Sequence, residues 1–322
     1  MKRQILLAAA LMTACVTVTQ AQDYPNKPVK MVVPFSAGGN ADITARLLAR
    51  QMSESFGVPV IVENKPGANG SIGVEAVVRA ASDGYTLLLS GSSPLVINPV
   101  LYDDLPYDTL RDLQPISQVM TYQYALVVPA KSPISSLSDL AARAKAKPGQ
   151  LTYGSSGVGG GSHLAGELLG LTMGVEFNHI PYKGTAPALA DLLGGHLSFT
   201  FDTVLTSAPQ VEAKRLRALA VSASKRAASL PQVPTLQELG FADFNINQFV
   251  GLLAPIKTDP AIIERLHQEV VKALQAPDVI HALKTEGGNE LVANAPAEFR
   301  AQIMHDLALN RKLIKLANIK TE

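Results

Sequence analysis

Short apolar runs alternate with amphipathic stretches along most of the chain, and glycine, serine or proline marks each change. The run VKMVVP at 29–34 predicts a strand. Apolar side chains at helical spacing from Ile43 to Phe56 predict a helix over 41–56, which ends before Gly57. This alternation is typical of α/β domains with mainly parallel sheets. The same pattern predicts further strands at 58–62, 85–89, 125–129, 151–153, 177–182, 197–201 and 217–222, and further helices at 71–81, 137–146, 162–173, 187–193, 259–275, 277–284 and 296–316.

The order of these elements predicts two lobes, each an α/β unit. A second unit begins near Tyr124, and after the apolar run FVGLLAP at 249–255 three predicted helices return to the first unit. We therefore expect a fold of two lobes, each a mainly parallel sheet flanked by helices, hinged by two crossing segments. Lobe 1 is expected at 22–124 and 249–322, lobe 2 at 125–248, and the crossings near 122–126 and 245–252.

The first residues have the pattern of an export signal. Lys2 and Arg3 precede the apolar run from Ile5 to Val18, and small residues before Ala21 predict cleavage after that residue. The run is too short for a transmembrane helix, which needs about 20 apolar residues. Residues 1–21 are thus expected to be a signal peptide and the mature chain to be periplasmic. Lipid attachment at Cys15 stays open as an alternative, because small residues precede it.

Composition and charge narrow the class of function. Of the 322 residues 47% are hydrophobic, which provides for one large or two medium globular domains. A formal net charge of +1 provides no basic surface for nucleic acid. One cysteine excludes a disulfide framework, and the six histidines show no metal-binding spacing. We expect no metal, no cofactor and no nucleic-acid partner.

Two glycine-rich loops are the strongest candidates for a binding site. FSAGGN at 35–40 and GSSGVGGG at 154–161 each follow a predicted strand and precede a predicted helix. In an open α/β sheet, ligands bind at the carboxyl ends of the strands, where helix N-termini offer free N–H groups and a positive dipole end. Both loops are therefore candidate anion sites. If they belong to opposite lobes, a ligand with a carboxylate at each end would be held from both sides.

The usual phosphate and catalytic motifs fail at particular positions. No Gly-Lys pair is followed by Ser or Thr, so a Walker A loop is absent, and Ser162 stands where a dinucleotide fingerprint needs its last glycine. Neither Ser155 nor Ser156 has the flanking glycines of a nucleophile elbow. A non-enzymatic binding protein is therefore the preferred interpretation. A serine-dependent hydrolase of the α/β class is kept as the alternative.

Four polar residues have both a functional and a structural interpretation. Asp202 and Lys183 follow predicted strands and are therefore candidates for ligand contact, although exposed lysines are ordinarily solvated. Asp42 is also explained as an acidic residue in the first turn of a helix. His163, at the start of a helix, is also explained as a structural hydrogen-bonding residue.

Several segments together resemble one family. These are PFSAGGNAD at 34–42, NKPGANG at 64–70, DGYTL at 83–87, LTYGSSGVGGGSHLAGE at 151–167, PYKG at 181–184, LPQVPT at 230–235 and GLLAP at 251–255. They are similar to the Bug proteins, the extracytoplasmic solute receptors of tripartite tricarboxylate transporters. The resemblance covers nearly all of the mature chain.

The resemblance implies a monomeric periplasmic binding protein of the type II kind that closes on a small carboxylated solute. Di- and tricarboxylates, acidic amino acids and aromatic acids are the implied ligand classes, with a membrane permease or a sensing role as the implied partner. Backbone N–H groups and bridging waters are expected to hold a carboxylate. The residues expected to bind the ligand are Phe35, Ser36, Ala37, Gly38, Gly39, Asn40, Asp42, Ser90, Ser92, Ser155, Ser156, Gly157, Gly159, Gly160, Ser162, His163, Lys183 and Asp202.

Two positions depart from the commonest family pattern. Asn69 stands where glycine is frequent, and Gly160 with Gly161 makes the second loop unusually rich in glycine. Fewer side chains are thus available to specify a ligand, so the sequence leaves the ligand's identity open.

Overall fold

The structure is a computed structural model that describes residues 24–242 and 244–316. The predicted signal peptide and Cys15 lie outside the described residues. Within these two ranges, no helix is both long and apolar enough to cross a membrane.

Ten strands alternate with helices for most of the chain. The strands are β1 (Val29–Val33), β2 (Val60–Asn64), β3 (Thr86–Gly91), β4 (Leu113–Pro129), β5 (Thr152–Ser155), β6 (Asn178–Pro181), β7 (Phe199–Thr203), β8 (Leu216–Val221), β9 (Asn247–Pro255) and β10 (Glu290–Leu291). The helices are α1 (Asn40–Phe56), α2 (Ser71–Val78), α3 (Asn98–Leu101), α4 (Thr109–Asp112), α5 (Leu137–Ala146), α6 (Gly161–Met173), α7 (Thr185–Leu193), α8 (Val204–Glu212), α9 (Pro260–Leu274), α10 (Pro277–Val279) and α11 (Pro296–Leu316). A 3-10 turn at Ala68–Gly70 and π-helical turns at Ser93–Ile97 and Ile280–Glu286 complete the described elements.

The strands form a sheet in the order β2-β1-β3-β9-β4-β7-β5-β6, with β10 and β8 also paired to β4. We call the side from β2 to β9, with β10, lobe 1, and the side from β7 to β6, with β8, lobe 2. The outer pairs β1–β2, β1–β3, β5–β6 and β5–β7 are parallel, and every pair that involves β4 or β9 is antiparallel. This confirms the predicted two-lobed α/β binding-protein fold.

Strand β4 is the element that joins the lobes. Its first part, from Leu113 to Gln123, pairs with β9, and its second part, from Tyr124 to Pro129, pairs with β7 and β8. The sequence pattern predicts only 125–129 as a strand, because polar residues such as Ser117 and Gln118 interrupt the apolar run before it. The lobe boundaries at 124/125 and 248/249 stay predictions, and the structure adds that β4 belongs to both lobes.

Both faces of each half of the sheet are buried. Along β1, Met31 and Val33 pack into a cluster under α1 and α9, while Val32 packs into a cluster on the other face with Phe299 of α11. Lobe 2 likewise has one apolar cluster on each face. Two covered faces explain why the strands read as continuous apolar runs rather than as alternating ones. They also leave the strand ends as the place where polar groups can meet a ligand.

The C-terminal helix returns to lobe 1, as the element order predicts. Phe299 of α11 is fully buried, and its ring stands edge-on to that of Phe249 at a centroid distance of 5.4 Å. Gly251 of β9 lies directly beneath it, because a Cβ there would be 2.1 Å from the Phe299 ring. The helix docks closely at this point only because residue 251 has no side chain.

We expect Gly251→Ala to destabilise lobe 1 by about 1–3 kcal/mol, because overpacking forces a side chain or the backbone to move. In a protein that already carries Phe299→Leu, Gly251→Ala should cost less stability than it does in the wild type, since the smaller side chain makes room for the added methyl group. Urea unfolding of the wild type, both single variants and the double variant measures the coupling. Equal costs of Gly251→Ala in both backgrounds would contradict the packing described here.

Candidate functional site

A cavity lies where the carboxyl ends of β1, β3, β5, β6 and β7 meet across β4. It has about 40 Å³ of space for the centres of water-sized groups. Since one buried water needs roughly 10–15 Å³, this cavity is small. The lining residues are Phe35, Ser36, Gly39, Asn40, Ala41, Gly91, Ser93, Tyr122, Tyr124, Ser156, Thr185, Thr203 and Val250.

None of the described residues that line the cavity is Asp, Glu, Lys or Arg. The described part of the chain also contains no group of three His, Cys, Asp or Glu residues placed to hold a metal ion. The polar groups of the wall are backbone amides, hydroxyls and one carboxamide, which are all neutral. An anion would therefore be held by dipoles.

Four helices begin at the edge of this cavity. They are α1, α6, α7 and α8, whose N-cap residues are Gly39, Gly160, Gly184 and Thr203, and none of these caps makes a side-chain hydrogen bond to its helix. An uncapped N-terminus leaves N–H donors and the positive end of the helix dipole available. Helix α1 belongs to lobe 1, and the other three helices belong to lobe 2. The cavity therefore has a positive potential that comes from the backbone.

Asn40 is the most distinctive side chain of the wall. It is the first residue of α1, and only 6% of it is exposed. Both Nδ2 and Oδ1 are buried without a hydrogen-bond partner among the described residues. Because buried polar groups are almost always paired, an amide with two unpaired ends at a cavity wall points to a ligand or to ordered water.

The two lobes touch each other around the cavity. The backbone N–H and the hydroxyl of Ser36 in lobe 1 both donate to the carbonyl oxygen of Lys183 in lobe 2, at 3.1 and 2.7 Å. The N–H of Gly161 donates to Ser93 Oγ at 3.1 Å. On the outer side the Tyr102 hydroxyl donates to the Val158 carbonyl at 3.2 Å. The structure is therefore a closed arrangement of the lobes.

The second glycine-rich loop contributes to the cavity differently from the expectation. Its N–H groups are largely used within the protein: that of Ser156 donates to Ser162 Oγ, that of Gly157 to Ser155 Oγ, that of Gly159 to His163 Nδ1 and that of Gly160 to the Gly157 carbonyl. Of this loop only Ser156 lines the cavity. The glycines instead allow close approach, since a Cβ at Gly159 would lie 2.3 Å from Leu101 Cδ2 of lobe 1.

Ser155 lies in a buried polar cluster below the loop. Its hydroxyl oxygen is 2.6 Å from His179 Nε2, and its side chain is 1% exposed. Burial, followed by the charge of the stacked His163 ring, lowers the pKa of His179 to about 3. His163 accepts the Gly159 N–H, which shapes the loop. Ser155 and His179 resemble a catalytic serine–histidine dyad only in their distance, because the Ser155 hydroxyl does not line the cavity.

Asp202 is a buried carboxyl group just behind the wall. Its Oδ2 accepts a hydrogen bond from the Thr206 hydroxyl at 2.6 Å, and its Oδ1 is unpaired among the described residues. Burial raises the pKa of Asp202 from 3.8 to about 7, against the hydrogen bonds from Thr206 and from the Thr203 backbone. Its charge also contributes to raising the pKa of Tyr124, behind burial and the neighbouring Tyr122. Asp202 therefore changes its charge near neutral pH beside the wall residues Thr203 and Tyr124.

Asp42 has a structural role in the first loop. It accepts hydrogen bonds from the Gly38 N–H at 2.9 Å, from Arg46 Nε at 2.9 Å and from Asn64 Nδ2 at 2.9 Å. Burial opposes the charged form, but these hydrogen bonds outweigh it and lower the pKa of Asp42. The carboxylate fixes the turn at Gly38, whose φ of 80° favours glycine. It thereby holds Asn40 at the cavity.

The structure brings five of the expected ligand-binding residues to the wall and places the others around it. The wall contains Phe35, Ser36, Gly39, Asn40 and Ser156. Ser90 lies in β3 and Ser92 directly after it, and both are buried. Ser92 Oγ donates to Gln248 Oε1 at 2.6 Å. The others that do not line the cavity are Ala37, Gly38, Asp42, Ser155, Gly157, Gly159, Gly160, Ser162, His163, Lys183 and Asp202.

Sequence reasoning missed most of the hydroxyl groups of the wall. Ser93, Thr185 and Thr203 each lie one or two residues after a named candidate. The strand-end rule therefore located the turns that reach the cavity but not each residue that lines it. Tyr122 and Tyr124 lie on β4, where the crossing was predicted. Two tyrosines two residues apart at a predicted crossing are a usable signal. Their rings meet edge to face at 5.7 Å.

Two lobes that share a strand and close over a cavity at their strand ends define a solute-binding protein. The chain belongs to the tripartite tricarboxylate transporter receptor family: the family model TctC, described as "Tripartite tricarboxylate transporter family receptor", matches residues 44–319. It is thus a periplasmic solute-binding receptor of the TctC/Bug type. This confirms the family that the sequence segments indicate.

Relatives match over nearly the whole chain. Protein BugT of Bordetella pertussis is 39% identical over 304 residues, which is 94% of this chain and 92% of BugT. The structure of R. palustris Rpa4515 with adipate is 32% identical with a TM-score of 0.88 and covers 92% of this chain and 99% of its own. MatC from Rhodopseudomonas palustris with bound malate is 28% identical with a TM-score of 0.86, covering 90% and 100%. None of these relatives is described as a hydrolase, so they give no support to the alternative of a serine-dependent hydrolase.

The raised pKa of Asp202 predicts a pH-dependent stability. Between about pH 4 and pH 7 the native protein keeps a proton on Asp202 that the unfolded chain, with an ordinary pKa near 3.9, has released. The contribution of this group to the free energy of unfolding therefore falls as the pH rises through this window, by about 1.4 kcal/mol per pH unit at most. We expect Asp202→Asn to remove this slope, so that its advantage over the wild type grows towards pH 8.

Urea unfolding at about pH 4, 6 and 8 measures this difference. The exposed Asp103 provides the control, because Asp103→Asn should shift stability by a similar small amount at each pH. A gap between Asp202→Asn and the wild type that stays constant from acid to neutral pH would contradict the raised pKa of Asp202.

Proposed function

We propose that this receptor captures a small carboxylate between its lobes and presents the closed form to the permease of a tripartite tricarboxylate-type transporter or to a sensing partner. It acts as a monomer and performs no chemistry on its ligand. The signal segment at its N-terminus directs it to the periplasm. Within the ligand classes that the family resemblance implies, the small cavity favours compact acids over long or aromatic ones.

The observation that carries this proposal is the convergence of four uncapped helix N-termini on a cavity without a charged wall residue. Each such N-terminus stabilises an anion by about 0.3–1 kcal/mol when exposed and up to roughly 2 kcal/mol when partly buried. A carboxylate offers acceptors for these N–H donors and for Asn40 Nδ2. The adipate and malate of the related structures are both carboxylates, which supports the same chemistry here.

Closure of the two lobes links ligand binding to recognition by a partner protein. Ser36 and Ser93 of lobe 1 line the cavity and also accept or donate the hydrogen bonds that reach lobe 2. A ligand that contacts Asn40 on one side and Thr185 or Ser156 on the other has more contacts in the closed state than in an open one. Ligand binding therefore shifts the population towards the closed form by this difference in affinity.

Titration calorimetry with mono-, di- and tricarboxylates tests the proposal on protein that has been unfolded and refolded to remove retained ligand. Gly161→Ala is the diagnostic variant, because its Cβ would lie 2.6 Å from Tyr124 Oη and 2.8 Å from Gln248, and would displace the N-terminus of α6. We expect it to weaken carboxylate binding about tenfold, the effect of losing roughly 1.4 kcal/mol.

The control is Leu171→Ala on the same helix, whose side chain is 66% exposed. This variant should bind as the wild type does. Absence of binding by every carboxylate, or equal binding by wild type and Gly161→Ala, would overturn the proposal.

A further inference from the structure

The unpaired amide of Asn40 restricts the ligand more closely than the helix N-termini do. A carboxamide has a fixed donor end, Nδ2, and a fixed acceptor end, Oδ1, whereas a hydroxyl rotates to serve as either. Asn40 lines the cavity and is only 6% exposed, and both ends of its amide are unpaired among the described residues. A ligand that satisfies both ends must bring an acceptor and also a donor.

Four hydroxyl groups of the wall already have partners within the protein. Ser36 Oγ donates to the Lys183 carbonyl, and Ser93 Oγ accepts the Gly161 N–H. Thr203 Oγ1 is 2.6 Å from Thr206 Oγ1, and the Ser156 hydroxyl is 3.3 Å from that of Ser162. Asn40 is therefore the wall side chain whose hydrogen-bonding needs fall most directly on the ligand.

A carboxylate alone satisfies only the donor end of Asn40. The acceptor end needs an O–H or N–H on the ligand, next to the carboxylate that the helix N-termini hold. An ammonium group fits poorly, because no described Asp or Glu lines the cavity, and Asp202 is buried behind the wall rather than part of it. The helix dipoles also present their positive ends to the cavity. A neutral hydroxyl meets the requirement, and it can both donate to Oδ1 and accept from a nearby N–H.

We propose that Asn40 is a specificity-determining residue that selects a hydroxycarboxylate over the matching plain carboxylate and over the matching amino acid. The inference rests on the proposed function, since it concerns the same cavity. A site built around a hydrogen bond to a ligand hydroxyl rejects an analogue that lacks it, because the buried polar group of the protein is then left unpaired.

Two sets of three acids test this preference, and within each set the acids differ only in the substituent at C2. The first set is propionate, lactate and alanine, and the second is succinate, malate and aspartate. Calorimetric dissociation constants of the refolded wild-type protein for all six are the readout. We expect the hydroxy acid of at least one set to bind about tenfold or more tighter than its two partners.

Two variants separate the role of Asn40 from general effects on folding or closure. Asn40→Leu keeps the size of the side chain and should abolish the hydroxyl preference while it still binds the plain acid. Asn69→Gly removes another buried amide that has an unpaired oxygen but does not line the cavity, at a backbone φ of 47° that glycine accepts. This control should keep the preference ratio.

The outcomes are distinguishable. Equal binding of plain and hydroxylated acids, or a preference that survives Asn40→Leu, overturns the inference and leaves the proposed carboxylate receptor standing. A preference for the amino acids likewise overturns it. If none of the six acids binds, both the inference and the proposed capture of compact carboxylates are overturned.

Discussion

The positive ends of four helices meet at a cavity whose described wall contains no charged side chain. The surrounding strands hold those helix ends in place. The helices are fixed by strands that are buried on both faces, and β4 runs through both lobes so that their carboxyl ends face one cleft. An anion bound in the cleft, as we propose, would interact with backbone dipoles that need no reorganisation. Neutral hydroxyls and one amide complete the wall.

The glycine-rich loop of lobe 2 shows how close packing and binding are related in this fold. Its N–H groups are largely used by the loop itself and by His163, and its missing side chains admit Leu101 and Asn69 from lobe 1. The loop thus resembles an anion-binding turn in sequence and acts mainly as a contact surface between the lobes. In the proposed site, an anion is instead held by N–H groups at the starts of helices such as α1 and α7.

Much of the fold was predictable from the sequence, because buried strands and amphipathic helices have clear periodicities. The long strand β4 was not, since Ser117 and Gln118 are polar but buried in the sheet between the lobes. The turns of the site were predictable from the strand-end rule, and Phe35, Ser36, Gly39, Asn40 and Ser156 lie at the cavity. Thr185, Thr203 and the two tyrosines were missed, because which residue of a turn points inward depends on packing between distant segments.

A crystal structure of the protein with its tightest-binding carboxylate would show whether the helix N-termini at Asn40 and Thr185 hold the anion. We expect carboxylate oxygens about 3 Å from backbone N–H groups at the starts of α1 and α7, with both lobes in contact with the ligand. A ligand bound through one lobe alone, or with its carboxylate turned towards solvent, would contradict this expectation.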